Sequence, residues 1–141
     1  MIDNKATVKT YFENGDKPTQ SQFADLIDST MVPTVIKEAN VSGSYVTDCS
    51  DGDTFELVLI GNTTIEEPTN PISGKTVNWL LTQANVGSNV ITLDSIFVIP
   101  ASATTPLAFS ATTGLTDVLA ARYHSDSDKW LVIGLIPGYT L

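Results

Sequence analysis

The residues able to do chemistry are few and far apart. His124 is the one histidine and Cys49 the one cysteine. A catalytic base works only where a nucleophile and an orienting group converge on it in space. Ser125 and Asp126 follow His124 directly, but neighbours on a strand point to opposite faces, so His124 reads as a surface residue at a strand end. One histidine cannot make a multi-histidine metal site, and one cysteine leaves no intrachain disulfide and no thiolate centre. Cys49 reads instead as a small, half-buried apolar residue. Asp48, Asp51, Asp53 and Glu56 bring carboxylates together, yet their D-x-x-D-G-D spacing is not that of a calcium loop and no glutamate closes it. Asp51-Gly52 has the usual composition of a tight hairpin turn, and the cluster is read as one. Gly61, Gly74, Gly87, Gly114, Gly134 and Gly138 are dispersed, with no glycine-rich run leading into a helix with a lysine, so they form no phosphate cradle. Trp79 and Trp130 could stack on sugars or bases, but both fall in alternating strands where aromatic side chains fill a core. The expectation is a protein without catalytic residues, bound metal or cofactor.

Charge narrows the partners. Sixteen acidic residues against seven basic ones give a net charge of −9 over 141 residues. The lysines are scattered singly and Arg122 is the one arginine, which does not supply the clustered cations that phosphate contacts require. A nucleic-acid partner is excluded on that ground. An anionic membrane surface would repel such a chain, no apolar run reaches the ~20 residues of a span, and Met1 to Lys5 lacks the form of a signal peptide. Synthesis in a cytoplasm, in soluble form, is expected. Only 16 % of residues are charged, against roughly 25 % in ordinary domains. With many Thr, Val, Ile and Ser residues, this favours strands and suggests a surface partly covered by other subunits.

The elements that must position these residues fall into two regions. Residues 1–40 read as an arm with one short helix, and 41–141 as a β domain. In the arm, Gly15-Asp16-Lys17-Pro18 is a turn, and Thr19 stands three residues before Gln22 in capping-box spacing. Phe23, Leu26 and Ile27 then make one apolar stripe, and the helix should stop before Pro33. About three turns is marginal for a helix alone in water, so the stripe should pack on something. Beyond residue 40 the candidate strands are Val41–Thr47, Thr54–Ile60, Thr63–Glu66, Lys75–Gln83, Asn89–Leu93, Ile96–Ile99, Thr116–His124 and Lys129–Ile136. The last two flank a turn-rich hairpin loop, Ser125 to Asp128. Even spacing without long helical segments predicts a mainly β fold, an antiparallel β-sandwich or barrel of about seven or eight short strands.

Tyr11-Phe12-Glu13-Asn14-Gly15-Asp16-Lys17-Pro18-Thr19, continuing through Phe23-Ala24-Asp25-Leu26-Ile27-Asp28-Ser29, resembles a pattern near the N-terminus of tailed-bacteriophage virion proteins. There an aromatic stretch and a Gly-Asp-x-Pro-Thr turn precede a Phe-x-x-Leu-Ile-Asp-Ser helix. Leu59 to Ile65, Pro68 to Lys75 and Lys129 to Gly134 resemble pieces of a β domain common at the ends of phage fibre and head-appendage proteins. The resemblance implies a homotrimer that decorates or cements the capsid or forms a head fibre. Its partner would be the major capsid protein or another virion protein, with a host-surface glycan as a further ligand. It also implies attachment through the arm, with Phe12, Pro18, Phe23, Leu26 and Ile27 at the attachment or oligomer interface, and location in the virion after assembly in the host cytoplasm. Shaft repeats and a large receptor-binding head are lacking, so a short tail fibre or adhesin is the alternative within this class. A carbohydrate-binding β-sandwich module is the rival outside it, and requires a Trp or Tyr on an open face.

Overall fold

The structure is a computed structural model that describes residues 10, 15, 17–31, 34–84, 88–103 and 107–141. The chain divides into two units, Met1–Pro33 and Thr34–Leu141. In the first, helix α1 spans Gln20–Met31. Its start is the expected capping box: the Thr19 amide donates to Gln22 Oε1 at 2.8 Å, and the Gln22 amide donates to Thr19 Oγ1 at 3.3 Å. Each side chain thereby satisfies an amide that helix geometry leaves without a partner.

The second unit carries β1 (Val35–Tyr45), β2 (Thr54–Ile65), β3 (Thr76–Gln83), β4 (Ile91–Leu93), β5 (Phe97–Val98), β6 (Leu115–His124) and β7 (Lys129–Thr140). These make one curled seven-stranded sheet in the order β1-β2-β3-β6-β7-β5, with β4 paired to the end of β2. The mainly β expectation with a short helix therefore holds. The antiparallel expectation does not, because the sheet is mixed. β1–β2, β2–β3, β2–β4 and β5–β7 run parallel. Among the described strands, β3–β6 and β6–β7 are antiparallel.

Parallel neighbours cannot be joined by a hairpin turn, since the chain must return to the end where it started. Here it returns by coiling. Val35 lies beside Thr54, and Thr54 beside Asn78. After a bend, Ser44 lies beside Thr64, and Thr64 beside Thr92. On a further side Asp48 bridges Thr69, again in parallel. The bend in β1 comes at two register shifts, where Asn40 (φ 63°) and Gly43 (φ 73°) take left-handed backbone, a conformation open to glycine and tolerated by Asn. In the next coil Gly61 sits on that corner. A β-carbon there would stand 3.0 Å from the Ser42 β-carbon, so glycine lets the coils stack. β2 consequently runs unbroken through Gly61-Asn62, where two separate strands were expected. β6 and β7 then close the sheet as the expected hairpin.

Inside the curl, alternate residues of each strand meet. Phe55, Leu57 and Leu59 from β2, Val77, Trp79 and Leu81 from β3, and Leu119, Trp130 and Val132 from the hairpin are buried together. Trp79 stands edge-on to Phe97 and Trp130 at centroid distances of 5.8 and 6.2 Å, the geometry that opposes ring edge to ring face. Its indole N–H donates to the buried Thr47 hydroxyl at 2.8 Å, which ties the third coil to the first.

Candidate functional site

The arm residues expected at an interface all belong to the first unit. Phe12 lies outside the described residues. Pro18 and Leu26 are half-buried, while Phe23 is 48 % exposed on α1. Ile27 falls within α1, with its side chain outside the described part.

The acidic cluster is built as backbone support. Asp48 Oδ1 accepts from Asn70 Nδ2 at 2.9 Å, from the Ser50 amide at 2.9 Å and from Ser50 Oγ at 2.7 Å. These donors, Asn70 foremost, hold the Asp48 carboxyl below its ordinary range, because each favours the charged form. Asp53 pairs with Lys75 Nζ at 2.7 Å, and the same ammonium donates to the Cys49 carbonyl at 2.5 Å. Among the described residues no three His, Cys, Asp or Glu side chains are grouped to hold a metal. The hairpin reading of Asp51-Gly52 is corrected here. The segment links the parallel strands β1 and β2, and Gly52 is absent from the residues with positive φ. It is glycine for space: a β-carbon would meet the Thr34 carbonyl oxygen at 2.6 Å.

His124 is exposed at the end of β6, with Nδ1 2.9 Å from Ser127 Oγ in the hairpin turn. Ser125 pairs elsewhere, with Ser73 Oγ at 2.8 Å. Cys49 is buried, and burial pushes its thiol up to about 11, so the reactive thiolate is scarce at neutral pH. Trp79 and Trp130 are 0 % and 1 % exposed, which leaves neither ring face open to a sugar. Tyr139 on β7 is an exposed aromatic residue. No helix among the described residues is long and apolar enough to cross a membrane.

Three features escape the sequence reading. Asp117 is buried in β6, where Oδ2 accepts from the Ser110 amide at 2.6 Å and Oδ1 from the Gly138 amide at 2.9 Å. Gln83 is buried at the end of β3 and donates from Nε2 to the carbonyls of Asn89 and Ser110 at 2.9 and 3.0 Å. A lone Asp or Gln in an apolar strand is the signal for each, since burial demands partners. The third feature is the outward face of the sheet. One lateral row crosses Lys37, Glu56, Leu80, Val118 and Ile136. Its two charges cancel in a 2.7 Å salt bridge, and its other members are apolar. Between Ala120 and Ala121 the β6–β7 register slips by one residue, leaving Ile133 as the extra residue of a bulge, 59 % exposed. Bulges of this kind re-aim a side chain.

No protein-family model matches the chain, and no curated protein matches it.

Proposed function

We propose that this chain is a non-enzymatic structural protein of a tailed-phage virion, a homotrimeric capsid decoration, cement or head-fibre protein. In this reading residues 1–33 attach to the particle, through the major capsid protein or another virion protein, and the β unit projects. The observation that carries the reading is the covered-surface character of the β unit. On a chain of net charge −9, the outward positions Val58, Leu80, Val118, Ile133 and Ile136 place apolar side chains on a sheet face that also carries the Lys37–Glu56 pair, Arg122 and Lys129. Exposed apolar area of this kind marks interaction surfaces. The resemblance of residues 11–29 to phage virion proteins supports the assignment to a particle, as does the division of the chain into an arm unit and a β unit. A short tail fibre or adhesin would share these features, and the position on the particle separates the two. The carbohydrate-binding reading rests on the exposed Tyr139 of β7, since both tryptophans fill the core.

The test is location. Antibody raised against the β unit should label intact tailed particles at regular positions. A chain lacking residues 1–33 should fold yet fail to join particles that the full chain decorates. Protein found only outside particles, or full decoration by the shortened chain, would refute the proposal.

A further inference from the structure

We infer that the buried amide of Gln83 holds an internal water molecule, which donates one hydrogen to Gln83 Oε1 and the other to a backbone carbonyl beside it. Three observations carry this. The first is an acceptor without a donor. Gln83 ends β3 at 1 % exposure, and among the described residues no donor reaches its buried Oε1. Leaving such an oxygen unpaired costs about 1–3 kcal/mol. Native folds answer nearly all buried polar groups with a protein partner or an ordered water.

The second observation is that the amide cannot turn over to escape. Its Nε2 donates to the Asn89 carbonyl at 2.9 Å and to the Ser110 carbonyl at 3.0 Å, which uses both of its hydrogens. Exchanging Oε1 and Nε2 would set an oxygen against two carbonyl oxygens. The neighbouring groups are committed as well. The Gln83 carbonyl accepts from the Gly114 amide at 2.8 Å, and the Asn89 side chain donates to the Leu59 carbonyl at 3.1 Å. The Ser110 amide is taken by Asp117 at 2.6 Å.

The third observation is the seat this leaves. The two N–H bonds of a planar amide diverge, and one of them lies on the side of its own oxygen. The carbonyl that accepts this hydrogen, from Asn89 or Ser110, therefore stands about 4 Å from Oε1, given standard bond lengths and hydrogen-bond distances. That carbonyl keeps a second lone pair, so one water between the two oxygens can donate to both. A buried water needs about two to four polar partners, and this pair meets the lower figure. A calcium ion asks for about six or more oxygens, and the described residues group no three His, Cys, Asp or Glu side chains to hold a metal. The water completes the knot that ties the end of β3 to Asn89 ahead of β4 and to Ser110 ahead of β6.

A high-resolution crystal structure of the full-length chain tests this, with oxygen-17 relaxation dispersion of the solvent as a second readout. An ordered oxygen should lie about 2.6–3.2 Å from Oε1 and at similar distance from the Asn89 or Ser110 carbonyl. In solution the wild type should hold one long-lived water more than Gln83→Met, which keeps the length of the side chain but offers only a weak thioether acceptor. Ser73→Ala, at an exposed position, should keep the full wild-type signal. A protein N–H or O–H donating to Oε1, an Oε1 set against carbon alone, or a metal ion in the seat would overturn the inference. So would a folded Gln83→Met variant with the wild-type water signal. Should Gln83→Met fail to fold, the wild-type crystal structure decides the matter alone.

Discussion

Asp117→Asn isolates the group that fixes the outer end of β7. The wild-type carboxylate is 1 % exposed and accepts two backbone N–H bonds, at 2.6 Å from Ser110 and 2.9 Å from Gly138. It thus joins the loop before β6 to the far end of β7. Hydrogen bonds to a charged acceptor contribute about 1.5–3 kcal/mol each, against about 1 for neutral pairs. Asparagine keeps one acceptor oxygen and turns an NH2 group toward the other N–H, so one bond survives in its neutral form and the other becomes a donor–donor contact. Gly138 is exposed, so water can replace its bond at little cost, whereas Ser110 is half-buried. The net loss should be about 2–3 kcal/mol, with the surviving oxygen serving Ser110. Asp117→Leu should cost more despite its apolar bulk, because both N–H groups then lose their acceptor.

Urea unfolding followed by tryptophan fluorescence measures this directly, because Trp79 and Trp130 lie in the core. The midpoint should fall with no change in slope, and amide exchange at Ser110 and Gly138 should quicken while the core strands stay protected. A midpoint within about 0.5 kcal/mol of the wild type, the range of ordinary surface changes, would refute the carboxylate's role as a clamp. So would an Asp117→Leu variant more stable than the wild type.

Gly52→Ala should destabilise by more than the ~1 kcal/mol typical of point changes, because its β-carbon would meet the Thr34 carbonyl at 2.6 Å; chemical denaturation reads the loss, and unchanged stability would deny the close approach. Cys49, buried with its thiol pushed up to about 11, should resist a thiol reagent in native protein at pH 8 and react at once in urea; rapid native labelling would show the coil end to be open. Asp48 has its pKa lowered on folding, so its contribution is complete above the ordinary value of 3.8 and fades as pH falls through the lowered one. Asp48→Asn should therefore be less stable than the wild type at pH 7, with the difference closing in acid, and a difference that does not depend on pH would contradict the charge-based account.

Side-chain alternation was legible, and strand direction was not. The spacing of Val77, Trp79 and Leu81 puts them on one face, and all three are buried. The capping box of α1 was equally plain, because Thr19 and Gln22 are local in sequence and in space. A period of two residues, however, is the same in parallel and antiparallel strands. What sets direction here is the connection after each strand, and its cues mislead. Asp51-Gly52 has hairpin composition, yet Gly52 is needed for close approach to Thr34. Gly61-Asn62 looks like a strand end, yet Gly61 lets β2 pass over Ser42. Both glycines answer to contacts with residues about one coil away, which no local window contains.

The outward face escaped for a different reason. Val58, Leu80, Val118, Ile133 and Ile136 have the composition of core residues, and a reading that asks only which residues are apolar assigns them inward. Sequence alone still holds a trace of the answer. Leu57-Val58-Leu59-Ile60 and Leu131 to Ile136 are apolar at consecutive positions, so each strand must present such residues to both faces. Burial of Leu57, Leu59 and Val132 accounts for one face of each strand, with Val58, Ile60, Leu131, Ile133 and Ile136 left facing out. A solvated sheet face in a protein with sixteen acidic residues has ample charge available to cover it, as Lys37 and Glu56 do at the β1 side. From Leu131 to Thr140 of β7 no side chain carries charge, so the apolar outward positions there have no charged neighbour on their own strand.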